Sequence, residues 1–165
     1  MLLSKMLGIR AKAAFGLVLL TLFILLLGGL NYLALEKLQQ NADDFASTLM
    51  PAQGVVLNAD RDLYQALTAQ QARLMTDDSS QHDALLKDFN ENADQAYERM
   101  HSFMTLMAAY PQITAQLTGF DAQFTQWRTQ AAQVFVLMAN GDKAEAMAQY
   151  NKLAPAFSAL RELYN

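Results

Sequence analysis

The sequence predicts an all-α protein, an N-terminal transmembrane helix continuous with an antiparallel up-down four-helix bundle. Three observations carry that expectation. Residues 13–35 hold no charged side chain. The remainder repeats apolar residues at alternating steps of three and four. Across 165 residues there are only 7 Gly and 3 Pro, too few for a many-turned β fold, while Ala, Leu and nine Met favour helix.

The uncharged run comes first. Ala13 to Leu35 is 23 residues, and roughly 20 helical residues cross a bilayer core. Gly16, Thr21, Gly28 and Gly29 are tolerated there, and Asn31 and Tyr32 fall where an interfacial girdle sits. Lys5, Arg10 and Lys12 precede the run with no acid among them, and Glu36, Lys37, Asp43 and Asp44 follow it. The bias of Lys and Arg places residues 1–12 in the cytoplasm and residues 36–165 outside it. A signal peptide would have an apolar core of about 7–15 residues and a small-x-small cleavage site. This run is longer and lacks A-x-A, so it is read as an uncleaved anchor.

Four stripes follow. Bundle helix one gives Leu38, Ala42, Phe45, Leu49, Ala52, Val56, Ala59, Leu63 and Ala66. Helix two gives Leu86, Phe89, Ala93, Ala96, Met100, Phe103, Met107 and Tyr110. Helix three gives Ile113, Leu117, Phe120, Phe124, Trp127, Ala131, Val134 and Met138. Helix four gives Ala146, Tyr150, Leu153, Phe157, Leu160 and Tyr164. Each advances by about 3.5 residues per step, the seam of left-handed knobs-into-holes packing. Short connections make neighbours antiparallel.

The breaks between stripes agree. Asp77-Asp78-Ser79-Ser80 interrupts the pattern, and Ser80 with Asp83 reads as a capping box. Pro111 suits the first turn of helix three. Asn140-Gly141 reads as its left-handed end, and Asp142 with Glu145 as the cap of helix four. Helix one, from about residue 36 to 76, spans roughly 60 Å, against roughly 42 Å for helices two and three. Helix four reaches Asn165 still in phase, about 18 residues too short to return to the membrane. It is therefore expected to be incomplete, with a second membrane helix beyond it.

Little chemistry is expected. The absence of Cys excludes thiolate metal sites, disulfides and a Cys nucleophile. A net charge of −4 leaves no basic face for nucleic acid. Glu98-Arg99-Met100-His101 is one E-x-x-H, where a di-iron bundle needs two and two further Glu. Met100 takes the seam, so Arg99 and His101 are expected to flank the core. No phosphate loop or hydrolase motif occurs. Neither catalysis nor a metal or other cofactor is expected.

Helix one also carries a second face. Met50, Leu57, Arg61, Tyr64 and Thr68 lie away from its seam, with Gln65 beside them. This face reads either as scattered exposed apolar residues or as a homodimer surface with a polar pocket. Beyond Ala66 the seam turns polar at Gln70 and Arg73. That reads as fraying, or as a place for an anion held by the forked donors of Arg.

The segment Asn58-Ala59-Asp60-Arg61-Asp62-Leu63-Tyr64-Gln65-Ala66-Leu67 resembles the helix-one signature of methyl-accepting chemotaxis proteins with a four-helix-bundle sensor domain. Met50-Pro51-Ala52, Asn140-Gly141-Asp142-Lys143-Ala144, Ala154-Pro155-Ala156-Phe157 and Leu160-Arg161 add to the resemblance, which covers the whole chain. It implies a sensor in the periplasm of a bacterial inner membrane, dimeric through helix one. A small ligand is implied near the distal part of helices one and four. The implied ligand contacts are Arg61, Tyr64, Gln65 and Arg73, and the competing reading of Arg61 is an ion pair with Asp62, Asp60 or an acid of helix four. Phe157 and Arg161 join them by counting down from the shared top of the bundle. Signalling partners in the cytoplasm would be reached only through segments outside these residues. A histidine-kinase sensor domain and a membrane-tethered helical adaptor are the competing expectations.

Overall fold

The computed structural model describes residues 8–164. Lys5, in the expected cytoplasmic segment, and Asn165 lie outside the described residues. The chain forms two compact units, residues 1–46 and 47–165. Among the described residues there is no strand.

The first unit is one helix, α1 (Ile9–Asp44). None of its residues is buried. It is the one described helix long and apolar enough to cross a membrane, with a mean hydropathy of 2.6 over its best window. Two polar side chains within its uncharged run bond back to the helix. Thr21 Oγ1 donates to the Leu17 carbonyl and Asn31 Nδ2 to the Leu27 carbonyl, both at 2.9 Å. Such back-bonding lowers the cost of placing a hydroxyl or an amide in an apolar helix. Leu38 and Phe45, expected in the bundle seam, are instead exposed.

A π turn, Phe45–Leu49, follows, and the division between the units falls within it. Its physical cause is Pro51, which sits in the first turn of α2 (Met50–Met75) and has no N–H for the ladder.

The bundle is built from α2, α3 (His82–Leu106), α5 (Phe120–Ala139) and α6 (Lys143–Glu162). The seams bury as their spacing predicts. Ala52, Ala59, Leu63 and Ala66 face Phe89, Ala93, Ala96 and Met100, all 2% exposed or less. The alanines let α2 and α3 approach closely, and they are the most extensively packed pair. The other half is aromatic. Phe89 packs on Trp127 and Phe135, and Trp127 on Phe124 and Phe157, with centroids 5.2–5.9 Å apart.

The connections correct three expectations. The α2–α3 link is capped by Asp78, whose Oδ1 accepts from the Ser80 N–H at 2.9 Å, and not by a Ser80–Asp83 box. Helix three does not begin at Pro111. Pro111–Thr114 forms a single turn, α4, followed by a 3₁₀ turn at Ala115–Leu117. Gly119 at φ +90° then ends this segment before α5 starts. Asp142 begins α6 through its backbone carbonyl, which accepts from the Ala146 N–H at 2.9 Å, and its side chain caps nothing. Gly141 does close α5 as expected. At φ +87° it lets its own N–H reach the Met138 carbonyl and the Asp142 N–H reach that of Leu137. This is the paired Schellman pattern.

Candidate functional site

Three of the six expected ligand residues meet between α2 and α6. The Tyr64 ring receives the edge of Phe157, with centroids 5.5 Å apart and planes at 76°. The Arg161 guanidinium lies 4.8 Å over the same ring. Arg161 Nε also donates to Asp60 Oδ1 at 3.2 Å, which holds the guanidinium charged. Helical spacing explains the group. Asp60 and Tyr64 are one turn apart on α2, as Phe157 and Arg161 are on α6. Tyr64 remains 39% exposed, so the ion pair and the rings form a polar, aromatic ledge open to solvent.

The other three residues lie elsewhere. Arg61 turns to its neighbour Asp62, with Nε and Nη2 at 3.0 and 2.7 Å from Oδ1. Gln65 is exposed. Arg73 is 4% exposed and closes the distal end of the bundle. Its donors go to the Thr76 and Met138 carbonyls, both at 3.2 Å, and to His82 Nδ1 at 3.1 Å. A guanidinium spent on two carbonyls and an imidazole holds helix ends together. On the outer face of α2, Met50, Leu57 and Thr68 are exposed alongside Arg61 and Tyr64.

Sequence reasoning offered Asp62 only as a partner for Arg61 and missed its burial. Asp62 is fully buried, and Arg99 Nε from α3 stands 2.7 Å from its Oδ2. Arg99 therefore reaches into the helix interface, where the sequence placed it beside the core. A signal existed in a second stripe on α2. Ala59, Asp62, Ala66, Ala69 and Arg73 step by three and four, and all are buried. Asp60, the partner of Arg161, was likewise not singled out as a site residue.

The E-x-x-H residues separate. Met100 is fully buried and Glu98 exposed, while His101 Nε2 lies 2.9 Å from Asp121 Oδ1 on α5. Tyr97 packs 4.5 Å from the His101 ring, and its hydrogen bond to Asp121 pushes its phenol up. Among the described residues no group of three His, Asp or Glu side chains converges on a metal-sized site.

A small cavity of about 120 Å³ lies beside the Tyr64 ledge, between α2, α5 and α6. Phe157 lines both. Gln70 also lines the cavity and is fully buried. Its Nε2 donates to the Ala131 carbonyl at 2.9 Å, while its Oε1 has no partner among the described residues.

The fold is an antiparallel four-helix bundle with a polar cluster between its first and last helices. Residues 6–165 match the family model described as a four helix bundle sensory module for signal transduction. The chain belongs to that family, the sensory module of methyl-accepting chemoreceptors. No curated protein and no solved structure matches the chain.

Proposed function

We propose that this chain is the sensing part of a transmembrane chemoreceptor of the bacterial inner membrane. In this reading α1 is the anchor, with its N-terminus in the cytoplasm and the bundle in the periplasm. Two chains pair through the outer face of α2. A small extracellular ligand binds beside α2 and α6, and the response is a helix displacement passed across the membrane in chemotaxis.

The observation that carries this reading is the Tyr64–Phe157–Arg161 stack, which ties α2 to α6 on a solvent-open surface. A ligand seated there meets both helices at once. Arg161 offers charge-assisted donors, with Arg61 and Gln65 alongside on α2. Binding shifts the equilibrium between two packings by the difference in its affinity for them. Packed helices are stiff, so a small slide or tilt of α6 against α2 is a transmissible change. The activity is binding, and no covalent step is invoked.

The test is a chimera. Residues 1–165 replace the sensory module of a chemoreceptor in a motile bacterium that lacks its own receptors. Panels of amino acids, organic acids, amines and small neutral molecules are scored by kinase output. A dose-dependent response that weakens at least tenfold with Arg161→Ala or Tyr64→Ala supports the reading. A membrane-inserted, folded chimera that answers no compound overturns it.

A further inference from the structure

We infer that the cavity beside Gln70 is a binding site for a small uncharged molecule with one O–H or N–H donor on an apolar body. The inference rests on the sensory reading above and adds to it a second subsite, beside the ledge and distinct from it. Gln70 is the central observation. Its amide orientation is fixed, because only Nε2 can donate to the Ala131 carbonyl. Oε1 is thereby committed as an acceptor, buried without a donor, on a residue that lines the cavity. Buried polar atoms in folded proteins are nearly always paired, so an orphaned acceptor on a cavity-lining residue marks a place for a donor from outside.

The rest of the wall sets the other properties of the ligand. Leu67, Trp127 and Phe157 make it largely apolar. Tyr150 and Ser158 add hydroxyls at one side. Gln71 Nε2 already donates to Tyr150 Oη at 2.6 Å, which leaves the phenol proton to donate. No lining residue carries a charge, so an ion entering would lose its hydration without a counter-charge. The volume of about 120 Å³ admits one small ring or a short chain. An apolar cavity of about 150 Å³ is known to hold benzene. Access is from the α2–α6 surface, where Ser158 and Ala154 are exposed. Phe157 joins the site to the Tyr64–Arg161 ledge, so occupancy bears directly on the contact between α2 and α6.

Trp127 lines the cavity and is the only tryptophan in the chain, so its emission reports on this site. The full chain in detergent micelles is titrated with cyclopentanol and, separately, with fluorocyclopentane, which has the same shape but no donor. The expected result is a saturable shift in Trp127 emission with cyclopentanol, at least tenfold weaker with fluorocyclopentane. Ala154→Leu fills the mouth of the cavity without touching Gln70 and should abolish the saturable shift while helicity and melting persist. Gln70→Leu should remove the preference for the alcohol. A linear, non-saturating response overturns the inference, as does equal response to both compounds or an unchanged response in Ala154→Leu. A crystal structure with only ordered water at Gln70 in the presence of cyclopentanol also overturns it. Because the readout is binding, its failure is separable from that of the sensory reading. A chimera that responds to other compounds while Trp127 stays silent sinks only this site. Saturable binding in a chimera that never signals sinks the sensory reading.

Discussion

The carboxylate of Asp62 on α2 lies 2.7 Å from Arg99 Nε on α3, fully buried at one end and one-third exposed at the other. Arg61 holds the second oxygen, and its own side chain is half exposed. The burial is thus asymmetric, and the carboxylate carries the desolvation. Removing Arg99 leaves that buried charge with one partner. Arg99→Met should therefore destabilise the bundle by about 2 kcal/mol, less than the ~3–5 of a fully buried pair because Arg61 remains. Adding Asp62→Leu to Arg99→Met removes the stranded charge and should recover stability to within about 1 kcal/mol of the parent. Urea unfolding followed by circular dichroism measures both. A double variant weaker than Arg99→Met alone would contradict the account.

Glycine-to-alanine exchange should change sign with position. Gly141 sits at φ +87° in the Schellman turn, and a Cβ there meets no atom within 4 Å. The cost of Gly141→Ala is then purely conformational, about 1–2 kcal/mol. Gly54 lies inside α2 and also has open space around a new Cβ. With helical backbone already in place, Gly54→Ala should stabilise by about 0.5–1 kcal/mol. Thermal melts of the two variants should move in opposite directions.

The α2–α3 link carries a pH-dependent tie to the start of α6. Lys143 Nζ donates to Asp77 Oδ1 at 2.7 Å, and this bond and the lysine charge hold the Asp77 carboxyl below its ordinary range. A carboxyl lowered on folding contributes its full stabilisation above its unfolded value of about 4. That contribution is lost as pH falls through the lower folded value. Lys143→Met should be measurably less stable than the parent at pH 7, with the difference closing on acidification to about pH 2. The pair is exposed, so added salt should shrink the difference at pH 7 as well.

How far these features could be read from the sequence depends on their range. The seams were legible because each is a one-dimensional period. Phe120, Phe124, Trp127, Ala131, Val134 and Met138 all bury where their spacing puts them. The break at Gly119 was not, because the apolar steps from Ile113 through Leu117 to Phe120 stay in phase while the backbone changes from 3₁₀ turn to left-handed glycine to helix. Tyr64, Phe157 and Arg161 were brought together by helical rise and antiparallel order, which are rules of geometry. Arg61 was legible on the outer face of α2, and its pair with Asp62 is a contact between chain neighbours. Its neighbour Asp60 faces α6, and Arg61 itself follows Asp62 toward α3. Arg73 was legible as a seam position and not as a tie, since two of its three acceptors are the Met138 and Thr76 carbonyls, which carry no side-chain signature.

The outer face of α2 yields the last expectation. Met50, Leu57 and Tyr64 recur every seven residues and are 55%, 61% and 39% exposed. Seven residues advance a helix by nearly two turns, so the three form one apolar line. Arg61 and Thr68 flank it. In the proposed homodimer that line meets its symmetry mate, and residues near the axis contact themselves. A charge introduced at Leu57 would then be opposed by an identical charge and stripped of water. Leu57→Asp should raise the dimer dissociation constant at least tenfold in sedimentation equilibrium of the full chain in density-matched detergent. Met147→Asp makes the same chemical change on α6, where Met147 is 41% exposed and off this line. It should leave association unchanged. Equal loss in both variants would mean that the effect is one of charge or folding. No loss in Leu57→Asp would remove this face of α2 as the dimer surface.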